Sequence, residues 1–142
     1  MAQKILLVED NPDDEALALR ALKKGGFASD LVVARDGVEA LDYLLDQNLS
    51  GDEMPGLILL DINLPKLNGL EVLKRLRKNA MTRRLPVVML SSSKDAQDIS
   101  SSYDYGCNSY IRKPVDFRKF SDFIVQVERY WLCLNEVPPY AG

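Results

Sequence analysis

Five short apolar runs, at residues 5–8, 31–34, 57–60, 86–90 and 109–112, punctuate the chain, and between them apolar residues return every three or four positions. Continuous runs of this length read as strands buried on both faces, and the 3.6-residue period reads as helix. The pattern predicts an α/β protein in which five helices cover both faces of a five-stranded parallel sheet. The first helix opens at Asn11 as N-cap, with Pro12 in the first helical position and Asp13, Asp14 and Glu15 in the first turn, where the helix dipole favours acids. Gly25-Gly26 marks its end. A second helix follows Asp36-Gly37 through Val38, Leu41, Leu44 and Leu45, and a third runs from Gly69 through Val72, Leu73 and Leu76. Residues 48–56 form a polar loop, a fourth helix spans 95–105 before Gly106, and a fifth starts near Asp116.

Open sheets of this kind bind ligands beside the carboxyl ends of their strands, where strand order reverses. Five βα units favour the flavodoxin-like order 2-1-3-4-5, which sets the ends of strands 1 and 3 side by side. Glu9 and Asp10 follow the first run, Asp61 the third and Lys113 the fifth, so three acids and one amine share a rim. Crowded carboxylates repel unless a cation joins them. Mg²⁺, a hard ion that keeps several waters and binds through one or two carboxylates plus a phosphate oxygen, answers that requirement. The group favours attack by the Asp61 carboxylate on a phosphoryl group, with Lys113 and metal neutralising charge and an acyl phosphate as product. Ser91 either offers its hydroxyl to that phosphoryl group or, with Ser92 and Ser93, caps the next turn.

Composition narrows the alternatives. The 142 residues, 46% of them apolar, suffice for one domain with a single core. There is no histidine, so imidazole catalysis, His-metal sites and phosphohistidine are excluded from this chain. A net charge of -3 without a basic stripe argues against nucleic-acid binding. No apolar stretch approaches a membrane span and no signal peptide precedes the first strand, so a cytoplasmic protein without membrane attachment is expected. Cys107 and Cys133 are expected to be reduced thiols.

Leu-Val-Glu9-Asp10-Asn-Pro-Asp-Asp, Leu-Leu-Asp61-Ile-Asn63-Leu-Pro-Lys-Leu-Asn-Gly69, the Ser91 triplet and Ser-Tyr110-Ile-Arg-Lys113-Pro114 together resemble the receiver domain of two-component response regulators, of the chemotaxis-regulator type. The resemblance implies that Asp61 is the phosphoacceptor, that Glu9, Asp10, Asp61 and the Asn63 backbone carbonyl hold Mg²⁺, and that Lys113 contacts the phosphoryl group. It further implies Ser91 as switch hydroxyl, Tyr110 as switch aromatic, and a cis Lys113-Pro114 bond. On phosphorylation, Ser91 would move toward the phosphoryl group and Tyr110 would turn into the vacated space, reshaping the face made by helix 4, strand 5 and helix 5. Asn63 and Ser93, flanking the site, would tune water access and hence phosphoryl lifetime.

The receiver is expected over residues 1–128, with 129–142 extending the fifth helix into a tail and no output domain following. Phe117, Phe120, Phe123, Ile124, Val127, Tyr130, Trp131 and Leu134 make a stripe wider than a helix covering a sheet requires, which points to a homodimer, with Tyr103, Asp104 and Tyr105 as possible contributors. The alternative is a tail that folds back on its own core. In its tail and in the segment around Tyr110, the chain is similar to the small regulators paired with cyanobacterial and other bacterial phytochrome kinases, which implies a sensor histidine kinase as partner. Three rivals are weaker: an Asp-nucleophile phosphatase needs a second acid where Asn63 stands, a flavin mononucleotide carrier would not place Glu9 and Asp10 beside a phosphate, and a pseudo-receiver would not retain every acceptor position. A phosphoacceptor with slow self-dephosphorylation, rather than a turnover enzyme, is expected.

Overall fold

The computed structural model describes residues 3–24, 29–46, 49–50, 53–114 and 116–138. Strands and helices alternate: β1 (Gln3–Val8), α1 (Pro12–Lys24), β2 (Ser29–Ala34), α2 (Gly37–Leu45), β3 (Leu57–Leu60), α3 (Gly69–Lys78), β4 (Val87–Ser91), α4 (Ala96–Asp104), β5 (Ser109–Arg112) and α5 (Phe117–Arg129). All strand pairs are parallel and the order is β2-β1-β3-β4-β5, the expected flavodoxin-like topology. Every residue of β3 and β4 is buried, whereas β5 at the edge is only half-buried, which is why the central strands read as unbroken apolar runs. Gly25-Gly26, the proposed end of α1, lies outside the described residues, as do parts of the 48–56 loop. Pro86 falls just before β4 and lacks an N–H, but its carbonyl accepts from Ile58 and so begins the ladder.

Two apolar layers flank the sheet. One packs Leu6, Val8, Ile58, Leu60 and Met89 beneath Leu41 and Leu44 of α2 and Val72, Leu73 and Leu76 of α3. The other packs Ile5, Leu7, Leu59, Val88 and Leu90 beneath α1 and α5. The α4 helix differs from the rest, since only Ser102 of it is buried. It is capped by Asp95, whose side chain accepts from the Gln97 N–H, and it ends at Gly106, which takes a positive φ of 100°.

Burial divides the stripe along α5. Phe120, Ile124 and Val127 lie in the chain's own core against α1 and the sheet, so their side chains are not available to a second copy. Phe123 and Trp131 are half-buried against the same core. Phe117, 59% exposed, lines the groove between α1 and α5 with Leu17 and Arg20. Only Tyr130 and Leu134, 50% and 67% exposed, stand well clear at the distal end. There the helix loosens into a π-helical turn over Tyr130–Leu134, closed by the Asn135 N–H on the Tyr130 carbonyl at 2.7 Å. Leu132 is buried in that turn, so the extension does fold back in part, while residues 139–142 lie outside the described residues. No helix among the described residues is long and apolar enough to cross a membrane.

Candidate phosphoacceptor site

Register brings the acids together. Val8 of β1 pairs with Leu60 of β3, so the residues that follow them, Glu9 and Asp61, emerge side by side. The Asp61 N–H donates to the Val8 carbonyl at 3.2 Å and the Glu9 N–H to Ala34 at 3.0 Å, which extends the ladder into the site itself. Glu9 and Asp61 are buried and Asp10 is exposed; one carboxylate oxygen from each lies within 4.8 Å of the others. They line an open cleft of about 530 Å³ together with Asn11, Pro12, Asp13, Asp14, Asn63, Ser92 and Lys113.

Lys113 crosses from the end of β5 to the middle of this group. Its backbone N–H donates to the Ser91 carbonyl at 2.8 Å, and its ammonium donates to Glu9 Oε1 at 2.5 Å, Asp14 Oδ2 at 3.0 Å and Asp61 Oδ2 at 3.1 Å. Burial works against the Lys113 charge, but the hydrogen bond to Glu9 and the charges of Asp61 and Glu9 outweigh it and hold the ammonium above its ordinary range. Burial pushes Glu9 up to about 7 despite the opposing pull of Lys113. Asp14, noted in the sequence only as a first-turn acid, is thus a partner of Lys113. No spacing in the chain signals that contact, because it depends on where α1 sits relative to β5.

The remaining predicted residues fall around Asp61. The Asn63 N–H donates to Asp61 Oδ1 at 3.3 Å, leaving the two Asp61 oxygens with different partners. Ser91 is fully buried, its hydroxyl accepts from the Ser93 N–H at 3.2 Å, and its neighbour Ser92 lines the cleft. The Ser93 hydroxyl donates to Asp98 Oδ2 at 2.6 Å and accepts from the Asp95 N–H at 3.2 Å, so it is committed to the first turn of α4. Tyr110 packs half-buried against the α2/α3 layer, and its hydroxyl donates to the Ser93 carbonyl at 3.0 Å. The expected cis Lys113-Pro114 bond does not occur: there is no cis peptide among the described residues. The trans isomer is the lower in energy by about 0.5–1 kcal/mol for X-Pro bonds, and Lys113 already reaches its carboxylates from it.

A divalent cation fits this donor set. Five carboxylates, those of Glu9, Asp10, Asp13, Asp14 and Asp61, line the cleft with one ammonium, that of Lys113, among the described residues, so the site holds an excess of negative charge. The oxygens are hard donors, and the exposed Asp10 at the open end leaves room for waters that Mg²⁺ releases reluctantly.

The chain matches the response regulator receiver domain family over residues 5–124. It is 38% identical over 134 residues to the probable methanogenesis regulatory protein FilR2 of Methanothrix harundinacea, covering 94% of this chain and 86% of FilR2. It is 36% identical over 135 residues to the response regulator Rcp1 of Synechocystis sp., covering 94% of this chain and 92% of Rcp1. The crystal structure of the Mn²⁺-bound form of Rcp1 aligns with a TM-score of 0.86 at 35% identity, over 96% of this chain and 99% of that one. The phosphorylated cyanobacterial phytochrome response regulator RcpA aligns with a TM-score of 0.91 at 38% identity, over 98% of this chain and 100% of that one.

Proposed function

The chain belongs to the response regulator receiver domain family, and from that premise we propose that Asp61 accepts a phosphoryl group from a sensor histidine kinase. The observation that carries the proposal is the meeting of buried Glu9 and Asp61 with exposed Asp10, the first two held by the Lys113 ammonium, at the carboxyl ends of three strands. An Asp61 oxygen attacks phosphorus, the bond from phosphorus to the donor imidazole breaks, and the product is an acyl phosphate that water hydrolyses slowly. Asn63 stands where a phosphatase would need a second acid, so Asp61 stores the group rather than turning over substrate.

Glu9, Asp10 and Asp61, with the Asn63 carbonyl, are the residues that would hold Mg²⁺. The bound ion would neutralise charge developing on the transferred oxygens. Lys113 supplies the complementary charge from the protein and orients Asp61 through its existing hydrogen bond. The RcpA relationship supports a phytochrome kinase as the donor, and the proposed transfer is a cytoplasmic one.

The signal leaves through α4. The Ser91 hydroxyl donates to the phosphoryl group once it is present. Ser93 ties Ser91, Tyr110 and the first turn of α4 together, so displacement of Ser91 reaches both. With a single buried residue, α4 has little apolar contact resisting the shift. A contact between two copies through Tyr130, Leu134 and the exposed edges of Phe123 and Trp131 would read out the change.

The test is intact mass after incubation with Mg²⁺ and acetyl phosphate, for the wild type and for Asp61→Asn. A single phosphate adduct on the wild type and none on the variant is expected. A wild type without adduct, or a variant that still labels, refutes the assignment.

A further inference from the structure

An ammonium has three hydrogens, and in Lys113 each already meets a carboxylate: Glu9, Asp14 and Asp61. A phosphoryl oxygen on Asp61 therefore gains Lys113 only by displacing one of them. The three partners are not equivalent. The Glu9 and Asp61 side chains are 2% and 9% exposed, whereas that of Asp14 is 27% exposed, so water compensates a lost bond most readily at Asp14. Asp14 also lies on the rigid first turn of α1, whose N–H groups at Asp13 and Asp14 are both fixed by Asn11 Oδ1, at 2.8 and 3.2 Å.

We infer that Asp14 is a positioning residue for the phosphoryl transfer: it holds the third hydrogen of Lys113 while Asp61 is unmodified and surrenders it to the incoming phosphoryl oxygen. The inference rests on Asp61 being the phosphoacceptor. Two effects make Asp14 a brake on modification. It competes for the ammonium that the phosphoryl group requires, and its charge stands beside the place where phosphoryl charge accumulates. Replacing it with Asn keeps the shape of the side chain and exchanges a charged acceptor for a neutral one.

Asp13 provides the control. It occupies the same first turn and the same cleft and is exposed, but the three ammonium hydrogens of Lys113 are directed elsewhere. Asp13→Asn removes the same formal charge and the same interaction with the helix dipole. The full chain, Asp13→Asn and Asp14→Asn are compared with Mg²⁺ present by three measurements: the rate of labelling by acetyl phosphate, the affinity for beryllofluoride as a phosphoryl mimic, and the melting temperature.

Asp14→Asn should label about two- to fivefold faster than Asp13→Asn and bind beryllofluoride more tightly by a similar factor, the range expected for one partly exposed ion pair. Both variants should remain folded, with Asp14→Asn melting no more than a few degrees below Asp13→Asn, as the loss of one partly exposed pair implies. Equal labelling and equal beryllofluoride affinity in the two variants, or slower labelling in Asp14→Asn, overturns the role of Asp14 while leaving the phosphoacceptor intact. A wild type that neither labels nor binds beryllofluoride overturns both. Should Asp14→Asn fold poorly, Asp14→Ser, which suits a first turn, is read by the same criteria.

Discussion

A Cβ on Gly69 would stand 2.0 Å from the carbonyl oxygen of Asp61. The first residue of α3 is thus pressed against the backbone of the proposed acceptor, and its own N–H donates to the Ile62 carbonyl at 2.8 Å. The glycine is required by close approach rather than by an unusual φ. Gly69→Ala must push the acceptor loop outward. Overpacking of this kind costs about 1–3 kcal/mol, and the displacement of Asp61 should slow phosphoryl uptake well beyond the loss of folded protein. A denaturation midpoint and a labelling rate unchanged from wild type would show that the loop yields freely.

Glu9 and Asp10 should separate by phenotype although they adjoin. Asp10 is exposed, so Asp10→Asn should leave the melting temperature almost unchanged yet weaken Mg²⁺ binding by roughly tenfold or more, as measured by calorimetry. Glu9→Gln also breaks the buried pair with Lys113 and should lower stability by about 1–2 kcal/mol, since Lys113 keeps Asp14 and Asp61 as partners. Excess chelator should abolish phosphate labelling of the wild type. Label that persists in chelator would count against any metal role.

Arg77 was not singled out in the sequence, yet it fastens three segments on the face of the molecule away from the acceptor. Its Nε donates to the Gly106 carbonyl at 2.9 Å, one terminal nitrogen donates to the carbonyls of Thr82, Arg83 and Leu85, and the other donates to Asn108 Oδ1 at 3.0 Å. Asn108 Oδ1 also accepts from the Val87 N–H at 2.8 Å, so the fork locks the start of β4 to the start of β5. A lysine carries the charge without the planar fork. Arg77→Lys should therefore cost about 2 kcal/mol in urea unfolding, with Asp61 labelling retained in the folded fraction. Wild-type stability would mean that the fork geometry is dispensable.

Asp36 caps α2 by accepting from the Glu39 N–H at 2.7 Å and pairs with Lys66 at 3.3 Å. The backbone bond from Glu39, with the help of Lys66, holds its carboxyl below the ordinary range. A lowered carboxylate pKa contributes stability above its unfolded value of 3.8 and loses it as pH falls through the folded value. Asp36→Ala should cost about 1 kcal/mol at neutral pH, the usual size of an N-cap, and the difference from wild type should shrink in acid. A difference that is flat with pH would assign the effect to packing instead.

The exposed pair Tyr130 and Leu134 gives a cleaner test of dimerisation than shortening the chain, because Trp131 and Leu132 of the same segment pack on the core. Leu134→Glu should leave the fold intact and shift the protein toward monomer in sedimentation at tens of micromolar. A wild type already monomeric there, both unmodified and phosphorylated, would remove the expected dimer.

The sequence determined by itself the architecture and the meeting of Glu9, Asp10 and Asp61 on one rim. Unbroken apolar runs at 57–60 and 86–90, too short for helices and bounded by turn-forming residues, read as strands covered on both faces. A parallel sheet sends every strand's carboxyl end to one rim, so the polar residues after the runs had to share it. Tertiary structure decided what one-dimensional spacing does not encode. The long Lys113 stem reaches past Asp61 to Glu9 and Asp14 because α1 lies above that edge of the sheet, a distance set by layer packing rather than by position in the chain. The same packing drew Phe120, Ile124 and Val127 into the core while leaving Tyr130 and Leu134 exposed, since a periodic apolar stripe reveals a helix's face but not how much of it the neighbouring helix covers.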